Sequence, residues 1–285
     1  MGGAIRLLLA YQGTRYQGWQ VQPGQRCVQS ALEQAFERIS GGACVRMKAA
    51  GRTDAGVHAA GQVVFFKNPS RHDPATIQKA LNAVLPEDIT VLFAEAAPAD
   101  FDPRRAATGK WYRYLIYNEH TRPSFHQELC WHVRERLDVE AMQRAAEGLL
   151  GQHDFSAFRA SGCTARHPLR VLDRIVGRPR RPWVVLDVWG RSFLKQMVRN
   201  IVGTLVEVGR GRWQPERVRE ILEGRDRTLA GRTAPACGLM LRRVYLSEEG
   251  YRHDLSPSTG AWALDPLDVF AGVLDDPWGM RGGGV

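Results

Sequence analysis

A length of 285 residues, with 44% hydrophobic, 24% charged and 9% aromatic side chains, fits a folded chain of one large domain or two small ones and excludes a mainly disordered one. No stretch approaches the roughly 20 uninterrupted apolar residues of a membrane helix, and the opening MGGAIRLLLAYQG turns polar too soon for a secretory core, so a cytoplasmic location is expected. A net charge of +9, carried mostly by arginine among 39 basic residues, points to a polyanionic partner, although a solvated basic surface would account for it equally well.

Residues 4–11 (AIRLLLAY) read as a buried strand, and Val28, Leu32, Phe36 and Ile39 then recur at helical spacing. Extended runs at 43–50 and 61–67 flank a glycine-rich segment, which suits two strands joined by an ordered loop. Pro74 opens a helix carrying Ile77, Leu81 and Val84, and Pro86 ends it before the β-branched run around Ile89 and Val91. A connecting segment at about 96–108 leads to a strand at 110–117 and a helix with Asp138 as N-cap and Val139, Met142, Ala146 and Leu149 inward. Strands at 170–177 and 183–189 follow, then a helix through Phe193, Met197, Ile201 and Leu205. A short helix at 215–223 opened by Pro215 and a last strand at 239–246 complete the series.

The order β-α-β-β-α-β thus occurs twice. The expected fold is α+β: two consecutive ferredoxin-like units, residues 4–105 and 106–247, joined into one extended, mainly antiparallel sheet with helices on one face and a cleft on the other. The remainder, 248–285, is expected to be a partly ordered or disordered tail, rich beyond residue 256 in Gly, Pro and Asp. The five cysteines are scattered without a CxxC pair, so neither a disulfide framework nor a zinc knuckle is indicated.

The segment GRTDAGVH at 51–58 carries the chemistry. Glycines 51 and 56 bracket Arg52, Thr53 and Asp54, a pattern that turns the backbone sharply and leaves a carboxylate at a fixed place between two strands. Arg52 is near enough in sequence to favour the ionised form of Asp54. Taken alone, the four residues GRTD read better as a plain turn in which Asp54 bonds its own backbone.

The longer string GRTDAGVHAAGQVVFF decides otherwise, because FDPR (101–104), KWYRYLIYN (110–118), HDFSAFR (153–159) and FLKQMVRNIVGTLVEVG (193–209) follow it. Together these resemble the TruA family of tRNA pseudouridine synthases over about residues 4–246. The resemblance implies isomerisation of uridine to pseudouridine at positions 38, 39 and 40 of the tRNA anticodon stem-loop, with no metal or cofactor. It makes Asp54 the catalytic nucleophile or its electrostatic equivalent, acting through a covalent intermediate or through a glycal, alternatives that the sequence leaves open. Tyr112 matches the family's tyrosine that packs on the base and assists proton removal at C5. Arg199 matches the arginine that pairs with the aspartate, and a lone arginine on a mostly apolar helix independently asks for a buried partner. Leu239 matches a wall of the base pocket.

Phe101 and Arg104 match a segment that meets RNA, Arg104 as a phosphate contact or an insert where the flipped base was. Lys110, Arg15, Lys48, Arg105 and Arg166 are further candidates for RNA contact, each equally readable as solvated surface. A homodimer spanned by one tRNA is implied by the same resemblance. Lys195 and Gln196 stand where relatives carry an aromatic and a histidine, and Asp102 lies beside the expected RNA track, so RNA contact detail departs from the pattern. A non-catalytic RNA-binding protein is the main rival, but no RNP-type aromatic strand is present. A metal-dependent nuclease would need clustered carboxylates or histidines, and Asp54 has no acidic neighbour, while His58 and the Cys163/His167 pair lack ligand spacing.

Overall fold

The computed structural model describes residues 3–256, 276–278 and 280. Its architecture is mixed α/β, with mostly antiparallel strands and seven α-helices among the described residues. Among the described residues the chain divides into two compact units: one takes in residues 3–108, 241–256, 276–278 and 280, and the other takes in residues 109–240.

In the first unit the order runs β1 (Ala4–Tyr11), α1 (Val28–Ile39), β2 (Lys48–Ala49), β3 (His58–Lys67), α2 (Pro74–Val84), β4 (Ile89–Ala97) and α3 (Pro103–Ala106). β1 lies between β3 and β4, antiparallel to both, with Leu7 opposite Val64 on one side and Ala94 on the other. Strand alternation sends Phe66 to one face of this sheet, where its ring meets Phe36 of α1 edge-on at 4.9 Å, and Phe65 to the opposite face. Each of Phe36 and Phe66 is fully buried, and removing such a side chain from water contributes about 2–3 kcal/mol. Asp73 caps α2 by accepting from the amide of Thr76, with Pro74 at the first helical position, as the sequence signals require.

The second unit comprises β5 (Gly109–Tyr117), β6 (Trp131–His132), α4 (Val139–Glu147), β7 (Gly151–Asp154), β8 (Leu169–Arg180), β9 (Trp183–Gly190), α5 (Met197–Gly209) and α6 (Glu216–Gly224). Strands β5, β9, β8 and β7 are neighbours in that order and antiparallel throughout. Asp138 caps α4 as expected, accepting from the amide of Ala141 at 2.9 Å. A buried carboxylate, Asp187, is held on β9 by the Arg113 guanidinium at 2.9 and 3.1 Å, by Arg178 and by the Trp111 indole at 2.7 Å. Such a group fixes register, because a slipped strand would leave the charge unpaired at a cost of about 3–5 kcal/mol. The chain then forms β10 (Leu239–Tyr245), whose residues from Leu241 onward belong to the first unit and lie beside β3, and α7 (Glu248–Leu255).

Several expectations are corrected. The run 43–50 contributes only Lys48 and Ala49 as strand, because the backbone of Met47 is already satisfied by α1: its amide donates to Glu33 Oε1 at 2.8 Å and its carbonyl accepts from Gln29 at 3.1 Å. β3 begins at His58, three residues early. The connecting segment contains a one-turn helix, α3, built by Asp102 as cap and Pro103 as first residue. Phe193 is not on a helix, since Gln196 takes left-handed backbone (φ 58°) and α5 starts only after it. β6 has only two residues and β7 is short and polar, so neither shows a periodicity. Of the tail, α7, Ser256 and residues 276–278 and 280 are described, and the rest of 248–285 lies outside the described residues.

Candidate functional site

In the first unit the loop 51–57 joins β2 to β3 and is tied down on each side of Asp54. Gln62 donates to the carbonyl of Gly51 at 2.8 Å, and the hydroxyls of Tyr11 and Thr53 bond at 2.8 Å. The amide of Trp19 donates to the carbonyl of Thr53 at 3.1 Å, that of Gly56 to the carbonyl of Tyr16 at 3.1 Å, and that of Val57 to Asp54's own carbonyl at 3.1 Å. Gly13 donates to Nδ1 of the buried His58 at 3.0 Å, which fixes that imidazole as a neutral acceptor at Nδ1. Each bond contributes about 1 kcal/mol net, and their sum sets the loop on a bed formed by residues 11–19.

Two features of the bed are exacting. Gly18 takes φ +85°, and a Cβ there would lie 2.5 Å from the Thr53 carbonyl oxygen, 3.0 Å from Asp54 C and 3.2 Å from Ala55 N. Tyr11 is buried, and that burial pushes its phenol up to about 12 against the opposing hydrogen bonds of Thr53 and Gln62, so it stays a neutral hydroxyl. Asp54 itself is half-buried and Arg52 is exposed. The result is a backbone tied on both sides of a residue that is only half-buried.

In the second unit Tyr112 lies on β5, 7% exposed, opposite Val188 of β9. The ring of Phe193 meets it edge-on at 5.0 Å. Arg199, half-buried on α5, donates through Nε to the carbonyl of Ala234 at 2.7 Å, and Ala234 returns its amide to the Arg199 carbonyl at 3.1 Å. Around this pair, Asn200 accepts from Thr233 (2.7 Å) and Arg227 (3.0 Å) while donating to the carbonyl of Phe158 (2.8 Å). Gly203 lets the carbonyl of Arg232 sit where any Cβ would be. From the other side Tyr114 donates to the carbonyl of Pro235 at 2.7 Å. The segment 231–238 is therefore clasped between α5 and β5, and it delivers the buried Leu239 to a fixed place. Tyr114 is core, fully enclosed, as its strand position allowed.

Phe101 is half-buried against Phe65 (5.7 Å between ring centroids), while Arg104 and Arg105 of α3 and Lys48 of β2 are exposed. Burial pushes the Asp102 carboxyl up, but the amides of Arg105 and Arg104 and the charges of Lys48 and Arg105 outweigh it and hold the group below its ordinary value. Asp102 thus caps α3 and lies near these cations. Lys110 is half-buried, Arg166 is exposed, and Arg15 is exposed with its guanidinium 3.9 Å from Asp88. Among the described residues no three His, Cys, Asp or Glu side chains gather as a metal would need, and no helix is long and apolar enough to cross a membrane.

The sequence reading missed the bed beneath the loop, namely Tyr11, Gly13, Gly18, His58 and Gln62, and the place of Phe193 against Tyr112. A signal for the bed was present: Tyr-Gln-Gly occurs twice, at 11–13 and 16–18, within a run too short for helix or strand.

Comparison with known proteins bears on both units. A family model described as tRNA pseudouridine synthase matches residues 8–104 and 145–245. The tRNA pseudouridine synthase A of Pelobacter propionicus is 48% identical over 240 residues, covering 84% of this chain and 98% of that protein. Those of Myxococcus xanthus and Acidiphilium cryptum are each 48% identical, over 85% and 84% of this chain and 91% and 94% of their own lengths.

Proposed function

Because the chain belongs to the tRNA pseudouridine synthase family, whose members are isomerases acting on tRNA, we propose that it converts uridine to pseudouridine at positions 38, 39 and 40 of the anticodon stem-loop, with Asp54 as the catalytic carboxylate. One observation carries the assignment of Asp54: its backbone is held from both sides by residues 11–19 and by Gln62, while the residue is only half-buried. A group that must meet a substrate atom within a few tenths of an ångström needs that arrangement.

In the reaction the N1–C1′ bond breaks, the uracil turns, and a C5–C1′ bond forms. The proton lost from C5 is balanced by one gained at N1. Asp54 serves either as nucleophile or as the fixed negative charge beside an oxocarbenium-like centre. Tyr112 packs on the base and takes part in removing the C5 proton, and the edge-on contact with Phe193 supports this by fixing the ring plane. Arg199 supplies the positive charge that keeps the carboxylate ionised, Arg52 adds to that field from the exposed side, and Leu239 forms a wall of the base pocket. Phe101, Arg104 and Lys110 meet RNA, with Arg104 standing in for a base drawn from its stack, a step that costs a few kcal/mol. The reading includes two ferredoxin-like units, a homodimer as the tRNA-binding form and a cytoplasmic location, the last supported by five cysteines that form no disulfide among the described residues.

Loss of the C5 proton gives the test. Tritium placed at C5 of uridine in a tRNA transcript should be released to water on incubation with the protein, and retention of the label would overturn the reading. In the same assay Tyr112→Phe keeps the ring against Phe193 and loses only the hydroxyl. It is expected to lower kcat by about 10²-fold with tRNA affinity unchanged. An unaltered kcat would remove Tyr112 from proton transfer.

A further inference from the structure

The family model's match ends at residue 245, so Asp276–Met280 lies outside it. Yet the described part of this segment is built into the first unit. The Asp276 carboxylate pairs with Arg243 at 2.8 Å, the Leu246 amide donates to the carbonyl of Trp278 at 3.2 Å, and Ser247 Oγ donates to the carbonyl of Met280 at 3.1 Å. Trp278 is only 9% exposed. Its ring lies 4.3 Å from the guanidinium carbon of Arg6, whose other neighbours are the Phe101 ring at 5.7 Å and the carboxylate of Glu95. Arg6 therefore links the tail tryptophan to the aromatic side chain that opens the Phe101–Ala106 segment.

That segment needs support. A helix of one turn does not hold itself in water, and α3 is held by its Asp102 cap, by its buried Pro103, by the amide of Phe101 on the Pro98 carbonyl at 3.0 Å, and by the packing of Phe101 on Phe65 and Arg6. The cations it presents, Arg104 and Arg105, point to solvent beside Lys48. We propose that Trp278 is a positioning residue for tRNA binding: by holding Arg6 against Phe101 it fixes the segment that presents Arg104 and Arg105 to the RNA backbone. This rests on the reading of Arg104 as an RNA contact. A tail outside the family's matched region thus acts on affinity for tRNA and leaves the chemistry at Asp54 alone.

The test uses the full chain with Trp278→Ala, Trp278→Phe and the double variant Arg104→Ala/Arg105→Ala. Trp278→Ala is expected to raise the KM for tRNA about fivefold, keep kcat within about twofold and speed hydrogen exchange at the amides of residues 101–106, while Trp278→Phe restores all three. If Trp278→Ala fails to fold, Asp276→Asn loosens the same segment with both rings intact and should raise KM in the same direction. Should the double arginine variant bind tRNA as tightly as the parent, the RNA-contact reading beneath the proposal fails. Should it bind more weakly while Trp278→Ala leaves KM and exchange unchanged, the positioning role itself is overturned.

Discussion

Asp54→Asn is expected to lower pseudouridine formation by roughly three orders of magnitude or more while tRNA affinity stays within about twofold. The two side chains have nearly the same shape, and the loop is tied through the carbonyls of Gly51, Thr53 and Asp54, the amides of Gly56 and Val57, and the Thr53 hydroxyl, all of which the substitution keeps. The substitution therefore removes a negative charge while keeping those backbone ties. Quantifying pseudouridine in tRNA after incubation, alongside filter binding and thermal melting, separates these effects. Parallel loss of binding and activity would show that Asp54 serves the structure or the RNA interface instead of the reaction.

The second large effect is expected from a residue that takes no part in the chemistry. Gly18→Ala forces an L side chain into left-handed backbone, at about 1–2 kcal/mol, and puts its Cβ 2.5 Å from the Thr53 carbonyl oxygen, so the two loop segments must part. The obstructing atoms are all backbone, and a rotamer change cannot relieve the contact. The Trp19 amide bond to that same carbonyl holds Thr53 in place, so the shift passes directly to Asp54. A displacement of about 1 Å costs on the order of 10²-fold in rate, and kcat for Gly18→Ala should fall by about that factor, with a melting temperature several degrees lower. A variant with full activity would mean that the bed of residues 11–19 does not position the loop.

How much was legible in the sequence depends on the range of the interaction that made it so. β1, α1, α2, β5, α4 and β9 show in the chain because each satisfies its own backbone or carries an unbroken apolar pattern, with Asp73 and Asp138 capping where the signals stand. The run at 43–47 was misread because Met47 finds its partners on α1, a contact 14 residues distant for Glu33 and 18 for Gln29. Phe193 was misplaced because its spacing to Met197 is helical by coincidence, while Gln196 breaks the helix between them. For the candidate site, Asp54 could be singled out by the family resemblance, while the local residues alone read better as a plain turn. The groups that hold it could not: Tyr11 and Gly18 reach Thr53 across 42 and 35 positions, and no local pattern encodes that encounter. Trp278 is the extreme case, lying about 270 residues from Arg6 in a stretch whose composition suggested little order.

The central claim is that this chain isomerises uridine in tRNA from a single fixed carboxylate. Its most direct test is to incubate the purified full-length protein with unmodified tRNA, in buffer without added metal or cofactor, and to map pseudouridine nucleotide by nucleotide. The account predicts new pseudouridine at positions 38, 39 and 40 with the parent chain and none with Asp54→Asn. Absence of pseudouridine everywhere with the parent chain, or equal formation by the Asp54→Asn variant, would contradict it.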